Sequence, residues 1–304
     1  MISLEKKELI AHEVIRTLKS RFESFPEDSK SNRNAPFHEA FLNAFSNKLE
    51  SNIKDAHYLI SISSWLHGLN TTLGQSFFEN IAHILSGGIK KEFTKKKKSS
   101  LYITSTQQSE ISSIITNLKN RSKEPNLGEE NKLIFRLDKS VVIESMDFTA
   151  DNYIETDKII EAVELKSVKP NSGEMRGEKQ KILIAKAALK QKYPSKEIQF
   201  YIGFPFDPTS PTQTGKDKNR FMGSIIEFDK FFSQDEVLLG NELWDRLSGD
   251  KNTMQQVLDI INKIATKEFI DNLYFKKDFK NKKSNPKKYQ ELMKEWNLRN
   301  DLVI

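Results

Sequence analysis

Glu164 and Lys166, two residues apart on a β-branched run, are the pair in this chain whose types and spacing can do chemistry. In Lys158-Ile-Ile-Glu-Ala-Val-Glu-Leu-Lys166 successive side chains alternate between faces, so Glu164 and Lys166 project together while Val163 and Leu165 point into the opposite layer. A carboxylate beside an ammonium at a strand end can hold a metal ion and polarise a water. Asp147 closes the preceding run, Ser140-Val-Val-Ile-Glu-Ser-Met-Asp147, and a hairpin between the two runs would bring its carboxylate beside Glu164. Two carboxylates completed by substrate phosphate oxygens are the usual protein share of a Mg2+ site, because that ion keeps most of its waters. Lys166 would then orient or deprotonate the attacking water while the metal offsets transition-state charge. The same residues also read as an ordinary Glu and Lys pair on an exposed edge strand, and Glu-x-Lys alone does not choose between the two.

Other chemistries are removed by composition. With no Cys there are no disulfides, thiol nucleophiles or Cys-based zinc sites. All 5 His (His12, His38, His57, His67, His83) lie in the first third and none is spaced as a His-x-x-x-His ligand pair, which argues against His-dependent triads and zinc hydrolases. The 48 basic and 42 acidic residues leave +6, a mild lean toward polyanions. From Lys276 to Lys288 seven Lys face only Asp278, so the excess is patched rather than spread, and this segment is expected either to lie along a duplex or to be a solvated tail. The start, Met1 to Lys7, carries charge where a signal peptide would place its apolar segment, and no run is long enough to span a membrane, so a non-exported, cytoplasmic protein is expected.

The elements that must position the pair are legible in the patterning of 304 residues. Leu9, Ile10, Val14, Ile15 and Leu18, and then Phe37, Phe41, Phe45 and Leu49, recur at three and four, which predicts amphipathic helices. Further helices are expected over 75–85 and 106–121, and Lys95 to Lys98 reads as a charged turn or a phosphate contact. The polar stretch Ser122 to Glu130 then divides a helical region, 1–125, from a catalytic domain, 126–304. Beyond it, Lys132-Leu-Ile-Phe-Arg-Leu137, the runs ending at Asp147 and Lys166, and Ile198-Gln-Phe-Tyr-Ile-Gly-Phe204 predict strands. Between the last two, Ile182, Ala185, Ala188 and Leu189 make one apolar helical face. Strand, helix, strand implies a crossover within a mixed sheet covered by helices, and from Gln234 the chain returns to helix.

Asp147 followed by Glu164-Leu-Lys166 resembles the PD-(D/E)xK nuclease signature. The longer block Glu164-Leu-Lys-Ser-Val-Lys-Pro-Asn-Ser-Gly-Glu-Met-Arg-Gly-Glu-Lys-Gln-Lys181 is similar to the TdeIII family of type II restriction endonucleases, as are Leu73 to Leu85, Tyr201-Ile-Gly-Phe-Pro-Phe206 and Glu242 to Gly249. The resemblance implies an α/β (α+β) restriction-endonuclease-like mixed sheet flanked by helices, with a helical N-terminal region and a helical C-terminal tail. It implies Mg2+-dependent, sequence-specific hydrolysis of double-stranded DNA, with GGNCC as the site and a cognate DNA methyltransferase encoded separately. A palindromic site has a two-fold axis, so a homodimer is expected. A repair or mobile-element nuclease with the same core, or a non-catalytic DNA-binding protein, are the alternatives.

Carried over residue by residue, the resemblance makes Asp147 and Glu164 the metal carboxylates and Lys166 the catalytic lysine. Met146 stands where the signature often has Pro, which keeps Glu144 and Asp138 as alternatives to Asp147. Glu174, Glu178 and Gln180 either supply an outer carboxylate or amide or complement a helix N-terminus. Lys169, Asn171, Arg176, Lys179 and Gln180 after the strand, and Lys216, Lys218, Asn219 and Arg220 in the loop from Asp207, are expected on DNA. Of these, Asn219 and Arg220, together with Gln213, are the candidates for base edges.

Overall fold

The run that ends at Leu165 has neighbours on both sides in the computed structural model, which describes residues 1–22, 24–26, 56–166 and 174–266. Strand β5 (Ile159–Leu165) pairs antiparallel with β4 (Phe148–Glu155) and parallel with β6 (Glu197–Phe204). Strand β1 (Ile89–Phe93) adds antiparallel to β4, and β7 (Val237–Leu239) adds parallel to β6, giving the order β1-β4-β5-β6-β7. A separate ribbon pairs β2 (Tyr102–Thr104) with β3 (Val142–Glu144). This is the mixed sheet flanked by helices that the patterning implies, and it is consistent with the restriction-endonuclease-like fold that the resemblance implies.

The remaining elements are helices: α1 (Leu4–Phe22), α2 (Ala56–Thr72), a π-helical turn (Leu73–Phe77), α3 (Phe78–Ser86), α4 (Ser105–Lys119), α5 (Leu127–Ile134), α6 (Glu174–Lys192), α7 (Lys218–Gly223), α8 (Phe228–Phe231), α9 (Asn241–Ser248) and α10 (Thr253–Ile264). The β5-α6-β6 crossover is present, and α6 is buried more completely than one apolar stripe requires. Ile182, Leu183, Ile184, Ala185, Ala187, Ala188 and Leu189 are all buried, so α6 is sandwiched between the sheet and α4 and α5. Helix α4 starts on a capping box in which the Thr104 hydroxyl accepts from Gln107 N and the Gln107 side chain accepts from Thr104 N. The Gln107 amide also donates to Ile134 O at 2.8 Å, which ties the start of α4 to the end of α5.

Contacts divide the chain into a unit of residues 1–6 and 78–258, which holds the sheet, and a unit of residues 7–77 and 259–304. The expected division at Ser122 to Glu130 falls inside the first unit, where Asn126 caps α5. In the second unit α1 and α2 are joined by reciprocal bonds, Arg21 Nη2 to Trp65 O and Trp65 Nε1 to Arg21 O, both at 2.9 Å. The expected helix over Phe37 to Leu49 and the Lys276 to Lys288 segment lie outside the described residues.

Four elements differ from the sequence expectation. The first half of the run Lys132 to Leu137 is the end of helix α5 and none of it is strand, because Asn126 accepts from Glu129 N as an N-cap and Glu129 and Glu130 favour the first turn. Strand β1, Ile-Lys-Lys-Glu-Phe, reads as charge in sequence but forms the sheet edge, where charged side chains remain in water. Val237 to Leu239 is a buried strand where helix is expected. The strand that pairs with β5 begins at Phe148, after Asp147, rather than ending there.

Candidate active site

The turn between β4 and β5 sets the site. Thr156 closes it, accepting from Lys158 N and Ile159 N through its hydroxyl, and the register that follows places Asn152 opposite Val163. Continued by one step, the same register brings Asp151 beside Glu164, and the Asp151 charge acts on the Glu164 carboxyl. The Asp151 Oδ2 atom accepts the backbone N–H of Leu165 at 3.0 Å, and its backbone carbonyl accepts from His83 Nε2 of α3 at 2.6 Å. On the other edge of β4, Ile89 pairs with Tyr153 and Lys91 with Ala150, so Asp151 and Asn152 together face the single residue Lys90. This is a β-bulge, which locally re-aims side chains and is common beside active sites.

Glu164 is only 6% exposed. Its Oε1 atom lies 2.6 Å from Lys181 Nζ and 3.2 Å from Lys166 Nζ. Its Oε2 atom is buried and has no hydrogen-bond partner among the described residues. Burial and the Asp151 carboxylate raise its pKa, against the pull of Lys181 and Lys166. Lys166 follows β5, its N–H donating to Gly203 O at 2.9 Å, and its Nζ lies 2.7 Å from Glu178 Oε1 and 3.4 Å from Glu174 Oε1. Burial alone would lower the Lys166 pKa, but Glu164 and Glu178 outweigh it and hold the ammonium above its ordinary range. Gly203 permits the close approach of β6: a Cβ there would lie 2.8 Å from Val163 Cγ1 and 3.0 Å from Leu243 Cδ1.

A buried carboxylate oxygen without a partner, opposite a second carboxylate, fits a divalent cation that takes its other oxygens from water and phosphate. Among the described residues no group of three or more His, Asp or Glu side chains is arranged to hold a metal, so a cation here would draw on Asp151 and Glu164 alone and take its remaining oxygens from water or phosphate.

Asp147 is not brought to Glu164. It is exposed, its Oδ1 accepts from Lys95 N at 3.1 Å, and four residue steps along the strand direction, roughly 13 Å, separate it from Asp151. The two alternatives are also engaged elsewhere, Glu144 with Lys95 Nζ at 2.7 Å and Asp138 with Ser140 N at 2.7 Å. The Lys95 to Lys98 run forms the turn after β1.

The residues expected on DNA divide into three sets. Lys179 is 0% exposed, its Nζ 2.5 Å from both Glu130 Oε2 and Glu236 Oε1, so it is an internal ion and not a phosphate contact. Arg176 is exposed on α6 and Gln180 is half-buried, while Lys169 and Asn171 lie outside the described residues. The loop after β6 is organised by the Asp207 carboxylate, which accepts from Thr209 N (2.8 Å), Asp217 N (3.0 Å) and Arg220 Nη2 (3.4 Å). Burial raises the Asp207 pKa, but these bonds outweigh it and hold the carboxyl below its ordinary range. Lys216 and Lys218 both pair with Glu242, and Asn219 accepts from Gln234, while Gln213, Lys216, Asn219 and Arg220 remain exposed.

Asp151, Lys181, Glu79, His83 and Lys90 are the site residues that the patterning does not single out. Counting back from the Thr156 turn, which pairs 152 with 163, is the one signal that would have placed Asp151 opposite Glu164.

The family described as type II restriction endonuclease, HinfI, matches residues 3–265. The type II restriction enzyme MjaII of Methanocaldococcus jannaschii is 44% identical over 314 aligned positions, which cover 97% of this chain and 83% of that enzyme. The matched family is the HinfI one, so the TdeIII resemblance carries here only as far as the type II class that the two share. With a match spanning most of its length and a relative aligned along nearly all of it, the chain is a site-specific deoxyribonuclease and belongs to the HinfI family of type II restriction endonucleases.

Proposed function

We propose that the chain hydrolyses phosphodiester bonds of double-stranded DNA with Mg2+ held between Asp151 and Glu164. The observation that carries this reading is the buried Oε2 of Glu164, without a hydrogen-bond partner among the described residues and close enough to the Asp151 carboxylate to feel its charge. Bound there, Mg2+ supplies positive charge against the scissile phosphate and an acidified water. Lys166, kept as an ammonium by Glu164 and Glu178, donates to a phosphate oxygen or to the attacking water and stabilises developing charge rather than removing a proton. Glu178 aims Lys166, and Lys181 holds Oε1 of Glu164 so that Oε2 is the oxygen left for the cation.

Around this centre Arg176, Gln180, Lys216, Lys218, Asn219 and Arg220 are proposed to meet the duplex, with the Asp207 loop presenting Gln213, Asn219 and Arg220 to base edges. Lys169 and Asn171 keep the DNA-binding role expected of them. The same resemblance makes GGNCC the first site to test. Cutting both strands of a palindrome in one encounter calls for two subunits about a two-fold axis, and the reading includes a homodimer, a separately encoded methyltransferase and a cytoplasmic location. No helix among the described residues is long and apolar enough to cross a membrane.

The test is digestion of a plasmid that carries mapped GGNCC sites, with Mg2+ and with EDTA. Discrete fragments ending at GGNCC in Mg2+ alone are expected. Discrete fragments ending elsewhere would replace the site, and no cleavage in Mg2+ would overturn the metal reading. Light scattering with a cognate duplex reads the assembly, for which two chains per duplex are expected and one chain would refute the dimer.

A further inference from the structure

Beside the two carboxylates lies a second charged pair that the proposed chemistry does not use. Lys90, on β1, is the residue that faces the bulge at Asp151 and Asn152. Its Nζ lies 3.5 Å from Asp151 Oδ1 but 2.9 Å from Glu79 Oε2 on α3, so the lysine is drawn toward Glu79 and engages Asp151 only weakly. Asp151 Oδ2 is occupied by Leu165 N–H, which leaves Oδ1 as the oxygen that Lys90 and a cation would contest.

The framework fixes this competition. Glu79 and His83 are four apart and therefore share one face of α3. His83 grips the Asp151 carbonyl while Glu79 grips the lysine. The turn from α3 into β1 is clamped to the same strand: Ser86 Oγ donates to Asn152 Oδ1 at 2.9 Å, and a Cβ on Gly88 would lie 2.6 Å from that oxygen. Glu79 is thus set by backbone and side-chain contacts at a fixed reach from Lys90.

We propose that Glu79 is a positioning residue that withdraws the Lys90 ammonium from Asp151 and so keeps Asp151 Oδ1 open to a divalent cation. Glu79 acts through Lys90 and is not itself a ligand. The inference rests on the reading of Asp151 as a metal carboxylate. Without Glu79, Lys90 closes on Asp151 as an internal counter-ion and opposes cation entry. Without Lys90, this opposition at Asp151 is gone and Glu79 has no ammonium to withdraw.

The test is a double-variant cycle on the full chain without DNA, read by Tb3+ luminescence with Ca2+ displacement. Lys90→Met should tighten cation binding on the order of tenfold, and Glu79→Gln should weaken it several-fold, as expected for gaining or losing an unscreened ammonium within a few ångströms. Glu79→Gln in the Lys90→Met background should change little. Equal weakening in both backgrounds would make Glu79 a ligand and overturn the proposal, as would a Lys90→Met variant that binds no tighter. Lys90→Gln serves as the second variant should Lys90→Met fold poorly. Asp151→Asn separates the two levels: if it leaves binding unchanged, the underlying metal reading fails, whereas if it abolishes binding while the cycle shows no coupling, only this proposal fails. Absence of saturable binding to the wild type and to Lys90→Met would overturn both.

Discussion

The Asp151 carboxylate accepts the backbone N–H of Leu165, the residue next to Glu164, across 3.0 Å. One oxygen of the first carboxylate thereby fastens the end of the strand that carries the second. The spacing of the two acids is then set by backbone pairing and not by side-chain rotamers, which suits a site that must hold a cation at fixed distances.

Asp151→Asn should abolish cleavage, with a loss exceeding the ~10–100-fold typical of removing outer-shell partners, while Asp147→Asn should cut normally because its carboxylate only caps Lys95 N. Glu164→Ala and Lys166→Ala should also lose cleavage but retain specific binding, and Glu164→Ala should bind DNA more tightly than wild type when divalent metal is absent. Plasmid digestion alongside gel-shift titration in EDTA checks each. Normal turnover by Asp151→Asn together with loss in Asp147→Asn would return the first acid to position 147.

Lys179→Ala should destabilise the fold by about 3–5 kcal/mol, because it leaves Glu130 and Glu236 buried without their cation. Urea unfolding measures this. In the fraction that remains folded, the salt dependence of DNA binding should match wild type, since no phosphate contact has been lost. A slope lowered by about 0.9 would put Lys179 on the duplex after all.

Lys186 is buried on the same helix. Burial is the main cause that pulls its pKa down to about 8 from 10.5, Lys179 adds to the fall, and Glu236 and Glu130 oppose it. Because the folded-state value is the lower one, the unfolded chain binds the extra proton between about pH 8 and 10.5, and this group makes stability rise with pH across that window. Below it both states are protonated and the folded protein carries the whole cost of the buried ammonium. Lys186→Met should therefore be more stable than wild type at pH 7, by about 3 kcal/mol at roughly 1.4 kcal/mol per pH unit, and the gap should close by pH 10. Denaturant titrations of both proteins from pH 6 to 10 check it. A gap independent of pH would mean that Lys186 titrates alike in the folded and unfolded chain.

Arg220 is aimed by Asp207 and by Thr209 Oγ1, which accepts from its Nε at 2.9 Å. Arg220→Ala should weaken binding to the cognate duplex by about 1–3 kcal/mol and leave scrambled duplex nearly unaffected, as expected when a base contact is lost. Asp207→Asn should give a smaller loss of the same kind by loosening the loop. Anisotropy titrations on cognate and scrambled duplexes distinguish this from equal weakening on both, which would make Arg220 a phosphate contact.

Half of the site is legible in sequence and half is not, for identifiable reasons. Glu164 and Lys166 sit on a β-branched run followed by Pro, Gly and a helix start, so strand, turn and crossover are written in residue types. Asp151 lies in Thr-Ala-Asp-Asn, a stretch poor in strand formers, and the bulge shifts the alternation so that Asn152 and Tyr153 are both buried. No period-two pattern reports such a strand. A lysine among charged neighbours reads as surface, and only the three-dimensional meeting of α5, α6 and Gln234 to Glu236 buries Lys179.

That meeting has a consequence for how relatives of this enzyme diverge. Glu130, Lys179 and Glu236 come from three separate elements, yet a single substitution at any one strands charge in the interior, while replacement of all three by apolar residues of similar volume costs little. The three positions should therefore change together: a relative in which 179 has become apolar is expected to have lost both partner carboxylates as well, and intermediate combinations should be scarce among functional descendants.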